Sequence, residues 1–265
     1  MSYTTEYINE YYNNYDENGR LTSRKGSVEF LTTMRYIEKY LKPGDKVLEI
    51  GAATGRYSHT IAKMGYTVDA VELIEHNIEI FKQNTKPGEK ITITQGNAMD
   101  LSGFSDDTYD ITLLLGPMYH LYNKEDKQKA LGETIRVTKP NGVVFVAYCI
   151  TDGCILDVGF KRNGFNVKDY INIGKINPET FAAHSEPHDL FELVRKEDID
   201  GYMSVFPVTR LHYVASDGYT QYMSEAVDEM DDETFELYLK YHFATCERQD
   251  MVGISSHSLD IFRKD

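Results

Sequence analysis

The chain has 265 residues, a formal net charge of −14 and an ordinary globular apolar content of 41%. That length suits one large domain or a core with a cap. The acidity argues against nucleic acid as the main partner, because phosphate contacts reward a basic face. Cys149, Cys154 and Cys246 are too few and too irregularly spaced for a disulfide framework.

No apolar run approaches the roughly 20 residues that span a bilayer. The opening Met-Ser-Tyr-Thr-Thr-Glu-Tyr lacks the basic and apolar regions of a signal peptide. A cytoplasmic protein with no membrane contact is expected. Residues 1–26 are rich in Tyr and Asn. Apolar spacing then predicts a helix over 27–41, stopped by Pro43-Gly44. Strand one covers 47–50 and feeds a glycine-containing turn and a helix that ends at Gly65. Strand two is expected over 67–73, followed by a helix through Asn84. Strand three is placed at 91–95 and strand four at 110–115. A helix over 124–137 stops at the turn signal Pro140-Asn141-Gly142. Strand five covers 143–148. Residues 150–190 read as irregular, 197–203 as a helix, 208–215 as strand six and 221–246 as one long helical stretch. Residues 258–262 supply strand seven. The acidic run 228–233 reads as a solvated helix junction.

Strands alternating with helices predict an α/β, doubly wound, mostly parallel seven-stranded sheet. In such sheets a ligand binds beyond the carboxyl ends of the strands, at the point where the strand order reverses. The first strand and its turn read Glu49-Ile50-Gly51-Ala52-Ala53-Thr54-Gly55. Gly51 and Gly55 supply tight backbone positions with no Cβ. The dinucleotide pattern G-x-G-x-x-G would need a glycine where Arg56 stands. The turn resembles instead the [D/E]-x-G-x-G-x-G loop of class I S-adenosylmethionine-dependent methyltransferases, with Ala53 as the one departure. A methyl group is the smallest intrusion there, so cofactor binding is still expected.

That resemblance runs from about residue 27 to 148 and assigns further positions. Glu72, about 20 residues past the turn at the end of strand two, stands where a carboxylate accepts from both ribose hydroxyls. Leu73 follows it. Asn97, Ala98 and Met99 stand where the adenine edge is read, and an Asn carbonyl oxygen can accept from the exocyclic amine. Leu115 and Gly116 end strand four beside the reactive centre. With Tyr15 and Tyr57 as aromatic candidates, the cofactor set is Tyr15, Glu49, Gly51, Ala53, Gly55, Tyr57, Glu72, Leu73, Asn97, Ala98, Met99, Leu115 and Gly116. Strand four runs into Gly116-Pro117-Met118-Tyr119-His120-Leu121, which resembles the Gly-Pro-x-Tyr-His-Leu stretch of a bacterial, small-molecule-type subgroup. His120 and Tyr119 are therefore the catalytic candidates. An unperturbed imidazole near pKa 6.5 suits a base, and a substrate-orienting donor is the other role open to His120.

The expected layout is a Rossmann-like methyltransferase fold with a cap built from the insertions and the N-terminal segment. Residues 1–26 form a lid segment and 27–148 the cofactor-binding core. Residues 149–196 form a cap insertion, and 197–218 continue the core. Residues 219–248 form a helical cap insertion and 249–265 the final strand. The expected activity is methyl transfer from S-adenosyl-L-methionine to nitrogen or oxygen of a small molecule. Three rivals stay open: a binding protein that holds the cofactor without turnover, an RNA methyltransferase, and a nicotinamide dehydrogenase. His184-Ser185-Glu186-Pro187-His188 invites a zinc reading. It has no companion cluster and the transfer needs no metal, so none is expected. Oligomeric state and acceptor identity are not encoded in any motif.

Overall fold

A computed structural model describes residues 3–14 and 23–265. The sheet takes its direction from five parallel strands. These are β1 (Lys46–Ile50), β2 (Thr67–Glu72), β3 (Ile91–Gln95), β4 (Tyr109–Leu114) and β5 (Thr138–Ile150). Two later strands complete it, β7 (Val208–Ala215) and β8 (His257–Lys264). The order is β3-β2-β1-β4-β5-β8-β7, with β8 antiparallel to both its neighbours. Leu48, Leu113, Phe145 and Ile261 are fully enclosed. Strands covered on both faces read as continuous apolar runs, which is why β4 and β5 are legible as buried parallel strands. The chain winds outward from β1 to β3, then returns to lay β4 on the other side of β1. The strand order thus reverses between β1 and β4, where such sheets bind ligands.

Helices α2 (Arg24–Tyr40), α3 (Arg56–Lys63), α4 (Glu75–Asn84) and α5 (Lys124–Val137) flank the core. Ser23 caps α2 by accepting the Gly26 N–H, and Asn123 caps α5 by accepting the Asp126 N–H. The preceding helix α1 (Tyr3–Asn14) packs against α4 and against a 3₁₀ turn at Pro187–Asp189.

Four expectations differ from the structure. The Pro140-Asn141-Gly142 signal does not end the strand. Thr138 already pairs with Tyr109, and Val143 pairs with Ile111, so one residue of β4 faces four of β5. The turn chemistry is absorbed as a bulge, with Asn141 at φ +64°. The stretch 221–246 is two helices, α9 (Ser224–Glu229) and α10 (Asp232–Thr245). Asp231 restarts the second by accepting the Thr234 N–H at 2.8 Å. The stretch 150–190 holds α6 (Thr151–Cys154), a π-helical turn at Ile155–Lys161 and α7 (Val167–Asn172). Just beyond it, a two-residue strand β6 (Leu193–Val194) adds to the end of β5, making eight strands where seven were expected. The remaining helices are α8 (Lys196–Met203) and α11 (Gln249–Val252). Among the described residues no helix is long and apolar enough to cross a membrane.

Candidate active site

The turn after β1 is pinned from below. Gly51 and Ala52 both donate to the Val71 carbonyl, at 2.8 and 3.1 Å. Gly51 has φ +75° and Gly55 φ +90°. A methyl group on Gly51 would come within 2.6 Å of Pro117, and one on Gly55 within 2.5 Å of Phe81. Both glycines are therefore required by neighbouring side chains as well as by backbone conformation. Ala53 has φ +48°, so the residue that departs from the glycine pattern sits in the left-handed region that glycine favours.

Two carboxylates brace this turn. Glu49 turns its Oε2 onto the N–H and hydroxyl of Ser58, in the first turns of α3. Burial pushes its carboxyl up to about 8, against the pull of the Ser58 bonds. Glu72, 5% exposed, reaches both loops. One oxygen accepts from Ala53 N at 2.8 Å, and the other from Ile74 N at 2.9 Å and Asn77 Nδ2 at 3.4 Å. Burial pushes this carboxyl up too, and the backbone donors oppose the rise. Past β3, Asn97 Oδ1 accepts the Met99 N–H at 2.9 Å. Ala98 is buried, while Met99, Leu73, Leu115 and Gly116 are half-buried. Tyr57 is buried with its ring 5.1 Å from Phe30. Tyr15 lies outside the described residues.

The end of β4 leads through Gly116 into a 3₁₀ turn at Pro117–His120. His120 is 9% exposed. Its Nδ1 lies 2.8 Å from the Leu190 carbonyl, which only accepts, so Nδ1 carries the proton. Nε2 is then the acceptor, and the Tyr12 hydroxyl of α1 donates to it at 3.1 Å. Burial pulls this imidazole down to about 4, so it is neutral at physiological pH. The Leu190 carbonyl also accepts from the Tyr122 hydroxyl at 2.7 Å.

Leu190 has φ +68° and ψ −48°, and Phe191 N donates to Asp189 O across it at 2.8 Å. This is the rarer, strained kind of γ-turn. Strain of this kind persists only where the surroundings hold it. Here the Glu192 N–H donates to Tyr119 O at 2.6 Å, and the buried Lys127 ammonium pairs with Glu192 at 3.0 Å. The segment 116–122 is thereby stitched to the segment 187–192, and Tyr119 and His120 are fixed side by side.

The structure thus brings the turn after β1, Glu72 and the 97–99 segment together along one sheet edge, with Tyr119 and His120 across the β1–β4 switch. Sequence reasoning missed Leu190 and gave Tyr12 no role. Tyr12 carried only the signal of a tyrosine-rich segment, and Leu190 carried none. Glu186, His188 and Asp189 each offer a ligand atom within 4.8 Å of one another, without His184. The Lys175 ammonium already contacts both His188 and Asp189. A separate cleft of about 380 Å³ is lined by Ile150, Asp152, Arg195, Tyr213 and Gln249 among others. It includes none of the predicted site residues, and its Arg195 fork is closed on Asp152.

Residues 48–146 match a family described as a methyltransferase domain. The chain carries an S-adenosylmethionine-dependent methyltransferase domain. The glycine/sarcosine N-methyltransferase of Aphanothece halophytica is 26% identical over 185 residues, covering 65% of this chain and 68% of that protein. The demethylmenaquinone methyltransferase of Renibacterium salmoninarum is 34% identical over 106 residues, but the match spans only 40% of this chain and 41% of that one. Haemonchus contortus phosphoethanolamine N-methyltransferase 1, solved with phosphoethanolamine and S-adenosylhomocysteine, has the same fold. Its TM-score is 0.60 at 12% identity, covering 98% of this chain and 48% of that one.

S-adenosylmethionine is the cofactor of the methyltransferase domain, and the donor set suits it. A buried carboxylate stands at the tip of β2, an amide and a small residue follow the neighbouring β3, and the turn after β1, on the other side of β2, carries glycine and alanine.

Proposed function

We propose that this protein transfers a methyl group from S-adenosylmethionine to nitrogen or oxygen of a small molecule in the cytoplasm. The observation that carries the reading is the fixed, neutral His120 at the end of β4. Its proton is held on Nδ1 by Leu190, and its Nε2 lone pair is covered by Tyr12. When bound, the cofactor supplies an electrophilic methyl group on a sulfonium. Glu72 would take the ribose hydroxyls, Asn97 and Ala98 the adenine edge, and the turn holding Gly51, Ala53 and Gly55 the adjoining backbone contacts. Leu73, Met99, Leu115, Gly116, Tyr57 and Tyr15 would enclose the group, and Glu49 would hold the turn to α3.

Once Tyr12 yields its bond, Nε2 is the acceptor for the proton that the incoming nucleophile loses. Tyr119 positions the nucleophile beside it. Helix α1 and the stretches 149–196 and 219–248 act as a cap that excludes water. Contact of α1 with both α4 and the Pro187–Asp189 turn supports this layout. The Gly-Pro-x-Tyr-His-Leu stretch and the curated relatives support a small acceptor. The three free cysteines suit a reducing compartment.

Titration calorimetry with S-adenosylmethionine tests the first half, and absence of binding at millimolar concentration overturns it. Turnover on a panel of small amines, phenols and carboxylates tests the second. His120→Phe should lower kcat by roughly 10²- to 10⁴-fold with little change in cofactor affinity. Cofactor binding without turnover on any acceptor would favour the non-catalytic alternative.

A further inference from the structure

The bond between Tyr12 and His120 has the form of the contact that a base makes with its substrate. With its proton on Nδ1, His120 offers a bare lone pair at Nε2, and a phenol O–H donates to it at 3.1 Å. That phenol is carried by α1, 108 residues away in the chain. Its ring is held among other rings. Tyr11 meets it edge to face with centroids 5.1 Å apart, and His120 meets it edge to face at 5.7 Å. Phe191 closes the group, 5.7 Å from Tyr11 and 5.5 Å from His120. These spacings lie in the favourable range for aromatic pairs.

The electrostatics of this place discriminate among acceptors. Burial pulls the His120 imidazole down to about 4, and among the described residues only the Leu190 carbonyl works against that. Surroundings that resist a proton on the imidazole resist an ammonium for the same reason. Each brings an uncompensated positive charge into a dehydrated space. A carboxylate has no proton to give, so its lone pairs would face that of Nε2. A neutral hydroxyl meets neither penalty. Between an alcohol and a phenol the rings decide. A flat ring reproduces the edge-to-face contacts that Tyr12 makes, and a saturated chain does not.

We propose that the methyl acceptor is a phenol and that Tyr12 stands in its place, hydroxyl on Nε2 and ring beside Tyr11 and His120, until the acceptor displaces it. This rests on the methyl-transfer reading above. The acceptor's O–H donates to Nε2, and a lone pair on its oxygen forms the C–O bond. The C–S bond breaks as this forms, and its electrons stay on sulfur. The phenolic proton passes to Nε2 and then to water, so the positive charge lost from the sulfonium leaves as that proton.

The test uses the whole chain saturated with S-adenosylhomocysteine and reads binding by calorimetry. Two matched probe sets are titrated. The first is phenol, anisole, cyclohexanol and benzylamine. The second is β-naphthol, its methyl ether, its decahydro form and β-naphthylmethylamine. In at least one set the phenol should bind roughly 2- to 10-fold more tightly than the ether and the saturated alcohol, the range for one net hydrogen bond or one aromatic pair. The amine should bind most weakly. Tyr12→Phe removes the competing hydroxyl and should tighten the phenol by roughly another 2- to 10-fold, with no gain for the ether. S-adenosylhomocysteine affinity should hold. A merely loosened α1 would move phenol and ether alike, so their ratio separates competition from lost packing. His120→Phe should erase the difference between them. Absence of a phenol preference in both sets overturns the proposal. So does a phenol-to-ether ratio that Tyr12→Phe leaves unchanged or lowers. Failure of S-adenosylhomocysteine to bind the unaltered chain would bring down the cofactor reading and this one together. If it binds and no phenol preference appears, only the acceptor assignment falls.

Discussion

Replacing Glu49 by Gln should flatten the pH dependence of folding stability on the alkaline side. Glu49 is 2% exposed at the end of β1, and its Oε2 accepts both Ser58 donors. Burial pushes its carboxyl up to about 8, whereas a free glutamate titrates near about 4.3. Between those values the native state keeps a proton that the unfolded chain has released. Stability therefore falls as pH rises, by about 1.36 kcal/mol per pH unit from this group alone. From about pH 5.5 to about pH 8 the loss accumulates to about 3 kcal/mol. Below about pH 4 both states are protonated and the penalty vanishes. Glutamine keeps the shape, accepts from the same Ser58 groups and carries no titrating proton. Any cost of burying its amide N–H is independent of pH and drops out of the slope. Urea unfolding followed by circular dichroism, at intervals from about pH 4.5 to about pH 8.5, measures both proteins. Glu49→Gln should gain steadily on the unaltered chain as pH rises. A stability difference that stays constant over that range would mean the carboxylate is ionised throughout, and the buried-acid reasoning would be wrong.

Glu72→Ala removes the acceptor for the Ala53 and Ile74 N–H groups as well as the proposed ribose partner. Two charge-assisted bonds at about 1.5–3 kcal/mol each put the loss of S-adenosylmethionine affinity at about 100-fold or more. An unchanged Kd by calorimetry would remove the ribose assignment. Ala53→Gly relieves a left-handed alanine at φ +48° and should raise stability by about 0.5–1 kcal/mol. A lowered unfolding midpoint would contradict that strain. Leu190→Gly relieves the φ +68° turn and should stabilise the fold by about 1 kcal/mol. It should also lower kcat, because the carbonyl that orients His120 is no longer held. Unchanged kcat would reduce Leu190 to an accident of loop packing.

Legibility in the sequence follows the range of the interactions involved. Helix α5 could be read with both its ends, because Asn123 caps it locally and its apolar residues repeat at helical spacing. The turn after β1 could be read because its glycines answer constraints a few ångströms away. Glu49 marks the limit of that reading, since its carboxylate is committed to Ser58, nine residues on. No local pattern announces a bond between Tyr12 and His120, which are 108 residues apart. Nor does any local rule place a leucine at positive φ. That conformation is imposed by the Asp189 carbonyl, the His120 and Tyr122 donors and the Glu192 strut. The same division runs through the chemistry. Apart from Tyr15, the residues proposed to hold the cofactor lie on the repeating strand–helix core, where period and punctuation carry information. Tyr119 and His120, proposed to meet the acceptor, lie just past β4 but are held there by α1 and by the 187–192 turn. Each is brought to the sheet edge by tertiary packing. An unfamiliar acceptor can therefore be accommodated by changing those segments while the core keeps the pattern that identifies it. This explains how the chain announces its cofactor in one short motif and leaves its acceptor to contacts between segments far apart in sequence, as Tyr12 and His120 are.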